Sequence, residues 1–277
     1  MPGKLYVVGT PIGNLNDFSL RQRQTLNEVD FIAAEDTRVT VKLLNHFEIK
    51  KPLMSYYEHN LRERGEQIVA RIEAGENCAV VSDAGMPCIS DPGEDLVRLC
   101  AERGIDTVVV PWASAAISAL CVSGLVTSRF CFEGFLSTAK KSRREHLEQL
   151  RDEPRTMIFY EAPHKLLNTL KDFLETFGNR RISICRELTK IHEEILRMTL
   201  KEAVAHFTET SPRGEFVLIL EGASRQGLDE GITLEEAIAK AKQLVEQGIR
   251  PVDAAKQIAK STSFKKSEIY TGMLSDD

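Results

Sequence analysis

The chain has 277 residues, 42% of them hydrophobic and 28% charged, with a formal net charge of −5. This composition excludes disorder as the main state, and at roughly 100–200 residues per domain the length suggests two domains with a small appendage. The acidic balance argues against a polycation that coats nucleic acid, and no apolar run approaches the roughly 20 residues of a membrane span. No signal-peptide pattern opens the chain, so the expected compartment is the cytoplasm.

Residues 4–9 (KLYVVG) read as a buried strand, followed by a turn cluster and a helix from about Ser19. Residues 31–34 read as a second strand. Asn60, with Glu63 three positions on, predicts a capping box and a helix ending at Gly75. Residues 79–82 are a strand. Asp91 followed by Pro92 predicts an N-cap and a first-turn proline for a helix ending near Gly104. A strand over 107–110 and a helix of small residues over 115–123 follow. The pattern then restarts, with strands at 156–160, 182–186 and 216–220 and helices at 165–177 and 200–207. This alternation predicts two α/β domains, the first around a mostly parallel sheet. The expected division is 1–125, 126–223, and a linker with a small helical region over 224–277. Within that tail, residues 224–231 read as linker, Thr233 caps a helix to Gln247, and Pro251 starts another that breaks at 261–263.

From Lys240 to Lys266 there are seven basic residues and two acidic ones, a local patch that is either a phosphate contact or a solvated helix face. The six cysteines (Cys78, Cys88, Cys100, Cys121, Cys131, Cys185) have neither CxxC nor His/Cys ligand spacing. They read as small buried hydrophobes, and no metal site is expected.

The chemistry concentrates in loops next to strands. GTPIGN (9–14) follows the first strand, and its glycines permit close approach of a ligand to backbone. SDAGMPCISDPG (82–93) holds two Asp, two Gly, two Pro and two Ser between a strand and a helix. In it Asp83 reads as functional and Asp91 as a structural cap. EDTR (35–38) is a charged site or a turn in which Asp36 caps a helix. FYEAPH (159–164), RELTK (186–190) and RGEF (213–216) place ionisable groups at strand ends of the second half, where a cleft between domains is expected. Composition and spacing go as far as a two-domain α/β protein binding something small and polar.

Taken together, LYVVGTPIGNL (5–15), AAEDTR (33–38), VVSDAGMPCISDPG (80–93), RFCFEGF (129–135), RTMIFYEAPHKL (155–166), CRELTK (185–190) and GEFVLILEG (214–222) resemble the bacterial 16S rRNA ribose 2'-O-methyltransferases of the tetrapyrrole-methylase superfamily. The resemblance implies two α/β domains of tetrapyrrole-methylase type, with S-adenosylmethionine in the cleft between them and a small C-terminal helical subdomain. It implies methyl transfer to the ribose 2'-hydroxyl of a decoding-region cytidine in 16S rRNA or the small ribosomal subunit, no membrane partner, and a homodimer. A corrin or tetrapyrrole methylase would share the pocket but not need the basic patches; a non-catalytic rRNA-binding assembly factor would need no turnover. Carried over position by position, the cofactor pocket uses Pro11, Ile12, Gly13, Asp83, Ala84, Gly85, Ser114, Ala115, Phe135, Tyr160, Glu161, Gly214 and Glu215. Asp36, Glu187 and Lys190 are candidates for a general base or a nearby cation at the ribose hydroxyl. Arg38 and Arg186, with Lys140, Lys141, Arg143 and Arg144, are candidates for RNA phosphates. One position departs from the family pattern: Trp112, the only tryptophan, stands where a glycine is usual. A positive φ there would strain the tryptophan, and its indole either crowds the methionine or adenine side of the pocket, forms a stacking platform or projects to the surface.

Overall fold

The first strand, β1 (Leu5–Val8), is a run of apolar residues with no polar face, and it takes a position that only such a run tolerates. In the computed structural model, which describes residues 1–223, 232–262 and 264–274, it lies inside a five-stranded sheet. The elements around it are α1 (Leu20–Glu28), β2 (Phe31–Ala34), α2 (Thr37–His46), β3 (Leu53–Ser55), α3 (Leu61–Glu73), β4 (Cys78–Val81), α4 (Glu94–Glu102) and β5 (Thr107–Val110). The strand order is β3-β2-β4-β1-β5 and every pairing is parallel. Successive residues of a strand face opposite sides. Leu5 and Val7 therefore join one core with Phe31, Ile68 and Leu96, while Val8 joins another with Leu26, Ile32 and Leu44. Because the strands are parallel, the loops after β1, β2 and β4 emerge at one edge of the sheet.

The second sheet is built from β6 (Phe130–Phe135), β7 (Thr156–Glu161), β8 (Arg181–Arg186), β9 (Glu194–Thr199) and β10 (Phe216–Leu220), in the order β6-β7-β10-β8-β9. Only β6 and β7 are parallel; the other pairs are antiparallel. Helices α6 (Lys140–Gln149), α7 (Pro163–Phe177) and α8 (Leu200–Glu209) accompany these strands; Leu147, Leu166, Leu170, Phe173 and Phe207 join the core on one face of the sheet. The other face is covered by α5 (Ala115–Val122). Ala116, Ala119 and Leu120 of α5 pack against Ile158, Cys185, Val217 and Ile219. So α5, which precedes the expected division at 125/126, packs on the second sheet. Its small residues allow that close seat.

Three helices complete the described chain: α9 (Leu234–Glu246), α10 (Pro251–Ser261) and α11 (Lys266–Leu274). They enclose a core of their own around Ala237, Ala241, Ala255, Ile258 and Ile269. Thr233 forms the expected cap of α9 and Pro251 opens α10. The linker expected at 224–231 lies outside the described residues, as does Ser263 in the expected break.

Two helix starts differ from expectation. Asn60 precedes α3 but makes no side-chain cap; its Oδ1 accepts from the Tyr57 N–H instead. Asp91 does not cap α4: the N-cap is Gly93, at φ +137°, two residues later. The cysteines also differ in part. Cys78, Cys100 and Cys185 are buried as expected, whereas Cys121 is exposed, and all six are free thiols.

Candidate active site

The loops after the adjacent strands β1 and β4 are stitched together. The Thr10 N–H donates to the Gly85 carbonyl at 2.8 Å and the Gly85 N–H to the Thr10 carbonyl at 3.0 Å. Gly85 sits at φ +89°, and a Cβ on it would meet Ile12 Cγ2 at 3.3 Å and the Ala113 carbonyl oxygen at 3.5 Å. A larger residue there would narrow the space over this loop. A Cβ on Gly9 would lie 2.5 Å from Trp112 Cβ and 2.7 Å from Met86 Sδ. Trp112 therefore closes against the back of the glycine loop. Its backbone lies outside the left-handed region, so the strain expected at this position is absent. Nor does it line the cavity described next, whose wall here is Ser114 and Ala115. Its buried indole Nε1 has no partner among the described residues.

Between the sheets lies a cavity of about 330 Å³, inside the ~300–1,000 Å³ range of small-molecule sites. Ile12, Ala84, Gly85, Ser114, Ala115, Phe135, Tyr160, Glu161 and Glu215 all line it, nine of the thirteen residues named from the sequence. Pro11, Gly13, Asp83 and Gly214 do not. Sequence reasoning missed Met86, Ile89, Ser90 and Asp91 on the same wall, and Ala162, Pro163, Phe216 and Val217 opposite. Tyr160 fixes the start of α5 against the second sheet, its hydroxyl accepting from the Ala116 N–H at 3.2 Å. Burial, first of all, raises its pKa. Its ring lies 5.4 Å from that of Phe135. Glu161 is 5% exposed, yet satisfied: it accepts from the Ala162 N–H at 2.8 Å and from the Thr169 hydroxyl.

Asp91 is the main correction at this site. The loop from β4 to α4 passes through positive φ at Gly85, Cys88, Ser90 and Gly93, and this path delays the helix and turns Asp91 to the cavity wall. Burial, then the nearby charge of Glu35, push its carboxyl up to about 6, with Asp83 adding to the rise and a hydrogen bond to Ser82 opposing it. Asp83 instead belongs to a cluster behind the wall. It accepts from the Asp36 N–H at 3.1 Å, while its own N–H donates to Glu35 at 3.3 Å. Burial raises the pKa of both Glu35 and Asp83. Asp36 caps α2 by accepting from the Arg38 N–H at 2.8 Å and pairs with the Arg38 guanidinium at 2.6 Å, which holds its carboxyl down at about 2.

The cavity rim joins the first loop to the second sheet. Lys190 Nζ donates to Glu187 Oε1 at 2.9 Å and to Glu215 Oε2 at 2.8 Å. Glu187 Oε1 also accepts from the Glu215 N–H at 2.9 Å. A Cβ on Gly13 would reach within 2.6 Å of Lys190 Cγ, and one on Gly214, at φ +87°, within 2.6 Å of Glu187 Cγ. These glycines let the three loops meet. Burial alone would lower the Lys190 pKa, but its bonds to Glu215 and Glu187 outweigh it, and the ammonium titrates above its ordinary value. The Lys190 bond holds the Glu187 carboxyl below its own. The rim therefore holds the Lys190 ammonium bridged between Glu187 and Glu215.

The cations named for RNA separate. Arg38 is exposed beside Asp36. Arg186 donates to the Arg213 carbonyl at 2.8 Å and pairs with Glu194 at 3.2 Å. Lys140, Arg143 and Arg144 line a groove between α6 and α7, and Lys141 lies outside it, 3.9 Å from Glu145.

Two sheets flanked by helices, with a cavity between them that glycine loops reach and that Asp91, Glu161 and Glu215 line, define a two-domain α/β protein with a cleft of small-molecule size. The family model for tetrapyrrole (corrin/porphyrin) methylases matches residues 4–204, and the chain belongs to this family. The proteins from Synechocystis sp. and Bacillus subtilis named ribosomal RNA small subunit methyltransferase I are 47% and 44% identical to it. Each alignment spans 97% of this chain, and 96% and 93% of the respective relative. Among solved structures, the methyltransferase CobJ superposes with a TM-score of 0.59 at 18% identity, over 80% of this chain and 95% of that one. A uroporphyrin-III C-methyltransferase from Thermus thermophilus, complexed with S-adenosyl homocysteine, superposes at 0.56 with 17% identity, over 79% and 97%. These two likenesses carry the fold.

Proposed function

We propose that the protein transfers a methyl group from S-adenosylmethionine to the ribose 2'-hydroxyl of a cytidine in the decoding region of 16S rRNA. The near-full-length similarity to proteins named ribosomal RNA small subunit methyltransferase I carries the substrate class. The cavity chemistry supports the cofactor. Asp91, Glu161 and Glu215 line it, and no Lys or Arg does among the described residues. That wall suits a ligand with a sulfonium and an ammonium, and the Phe135 and Tyr160 rings suit the sulfonium. Ser114 precedes α5 without capping it through its side chain, so the main-chain donors of this helix start suit the ligand's carboxylate. Bound here, S-adenosylmethionine supplies an activated methyl group.

The residues then have three tasks. The paired loops hold the acceptor in line and exclude water. Lys190, kept protonated by Glu187 and Glu215, orients the ribose hydroxyl at the rim. Asp91 accepts the hydroxyl proton: it lies on the cavity wall with its carboxyl pushed up to about 6, toward the neutrality where a general base works best. Asp36 at about 2 is a weak base, and Glu187 is occupied by Lys190 and the Glu215 N–H.

The chain acts in the cytoplasm in this reading, and no described helix is long and apolar enough to cross a membrane. A homodimer is supported by exposed apolar residues over 109–130: Val109 and Phe130 on the edge strands β5 and β6, Ile117 and Val122 on α5, and Val126 in the connection between α5 and β6. Light scattering at twice the chain mass checks it.

The deciding experiment is calorimetric titration with S-adenosylmethionine, followed by methyl transfer to undermethylated small ribosomal subunits. One-site binding and a 2'-O-methylated cytidine are expected. Binding without transfer to the particle would remove the RNA reading and leave a small-molecule methylase; a folded, cofactor-free protein that binds no S-adenosylmethionine would leave the assembly factor.

A further inference from the structure

The groove between α6 and α7 gathers six basic side chains, in contrast to the cavity, which no Lys or Arg lines among the described residues. It encloses about 690 Å³, and Lys140, Arg144, Lys165 and Lys171 line it along with Arg143 and Arg151. Its carboxylates are largely spent. Asp172 is bound by Arg143 at 2.6 Å and Glu148 by Arg151 at 2.7 Å, which leaves Glu175. Lys140, Lys165 and Lys171 make no ion pair among the described residues. In a chain whose net charge is −5, a groove left cationic is a local exception.

The helix that forms one wall adds a second observation. The N-cap of α6 is Ala139, which offers no side-chain cap, and the helix's first turns carry Lys140, Lys141, Arg143 and Arg144 with no acidic residue in the first turn. Cations at a helix N-terminus oppose the helix dipole. The arrangement is unfavourable in the isolated chain and is relieved by an anion.

A third observation places the groove beside the cavity. Phe135 lines the cavity, while Ser137 and Thr138 line the groove; Pro163 lines the cavity, while Lys165 lines the groove. Two residues span at most about 7 Å, so the two spaces adjoin at both strand ends. They also share a partition: the Thr169 hydroxyl on the groove side receives Arg143 at 2.9 Å and donates to Glu161 on the cavity wall. Arg143 is thus a brace between α6 and α7, and around it the exposed Lys140 and Lys171 and the half-buried Lys165 are available to a ligand.

We infer that the α6–α7 groove holds the phosphodiester backbone of the RNA strand next to the ribose being methylated, with Lys140, Arg144, Lys165 and Lys171 as its phosphate contacts. This rests on the rRNA reading above. A line of phosphates supplies the evenly spaced anions the groove lacks, and its position feeds a ribose to the cavity mouth.

The test uses the full chain. The double variant Lys165→Glu/Lys171→Glu is compared with Lys42→Glu/Lys201→Glu, which makes the same change of net charge at exposed sites on α2 and α8. Undermethylated small ribosomal subunits are the probe, read by methyl transfer and by filter binding at several salt concentrations. The groove variant is expected to raise KM and Kd for the particle at least tenfold, with kcat within about twofold and the S-adenosylmethionine Kd unchanged. Its slope of log affinity against log salt should fall by about 1.4, because two phosphates of a single strand are no longer neutralised. A groove variant with wild-type KM, Kd and slope overturns the inference, as does a control variant that loses as much. If the wild-type protein transfers no methyl group, the functional reading fails, and the groove is still judged on particle binding.

Discussion

Asp91 shows how one carboxylate ties chemistry to stability. Its ordinary pKa is 3.8 and the folded value is about 6. The folded state therefore holds this proton more tightly than the unfolded one. The group favours folding below pH 3.8, and that contribution is lost as pH rises through 6. Above pH 6 it is an ionised, half-buried acid, which is the form a proton acceptor needs. Asp91→Asn removes the charge. The full shift corresponds to about 3 kcal/mol; with solvent screening, a gain of roughly 1–2 kcal/mol in unfolding free energy at pH 7.5 is expected. Turnover should fall about 10²-fold or more. Wild-type kcat should drop tenfold per pH unit below 6, and the residual rate of Asp91→Asn should not follow that slope. Urea unfolding and a pH series of kcat check both arms, and full turnover by the variant at pH 7.5 removes Asp91 as the acceptor. Lys190→Ala makes a separate test. It takes the cation from between Glu187 and Glu215 and should cost at least 10²-fold in kcat while S-adenosylmethionine still binds; unchanged turnover strikes Lys190 from the mechanism.

At the scale of elements, what was legible depended on how unbroken each apolar run is. β1, β2, β4, β7, β8 and β10 are runs of apolar residues in the interiors of their sheets, and each was readable as a strand within a residue or so of its ends. Of the four edge strands, β5 (TVVV) is an unbroken β-branched run and is readable despite its exposure, whereas β3, β6 and β9 are short or interrupted by polar residues and are not: β9 is EILRMT, and β6 is bulged between Phe132 and Gly134. Nine of thirteen pocket positions were on the wall because glycines, small residues and strand ends mark where a ligand approaches backbone. Asp91 was misread because Asp-Pro is the ordinary signature of a helix start. What overrides it is the left-handed backbone of Cys88 and Ser90, non-glycine residues whose φ no propensity announces. Gly93 holds that loop: at φ +137°, a Cβ on it would lie 2.7 Å from Cys88 Sγ. Gly93→Ala should shift the Asp91 segment, weakening S-adenosylmethionine binding tenfold or more in a chain whose far-UV circular dichroism is unchanged; wild-type affinity would show that the loop tolerates the shift.

For the whole molecule, the place to divide the chain follows from where its last strand sits. β10 lies between β7 and β8, so nothing before Leu220 can be removed without opening the second sheet. The next residues are also fastened. The Glu221 N–H donates to the Arg181 carbonyl at 3.0 Å, and the Ala223 N–H to the Glu153 carbonyl at 2.6 Å. Past Ala223 the described helices α9, α10 and α11, with Ile232 and Phe264, fill a core of residues beyond 231, while no core cluster of either sheet extends past Leu220. A chain ending at Ala223 should therefore fold, melt within a few degrees of the full protein, and bind S-adenosylmethionine within about twofold. What it loses is the basic stretch from Lys240 to Lys266. Its affinity for small ribosomal subunits should drop and become less sensitive to salt, since fewer phosphates are neutralised. The two readouts divide the molecule by task. If the shortened chain keeps its cofactor but binds the particle weakly, the tail serves the RNA alone. If cofactor binding is lost from a folded chain, the tail completes the cavity, and the cofactor site extends beyond the two sheets that enclose it here.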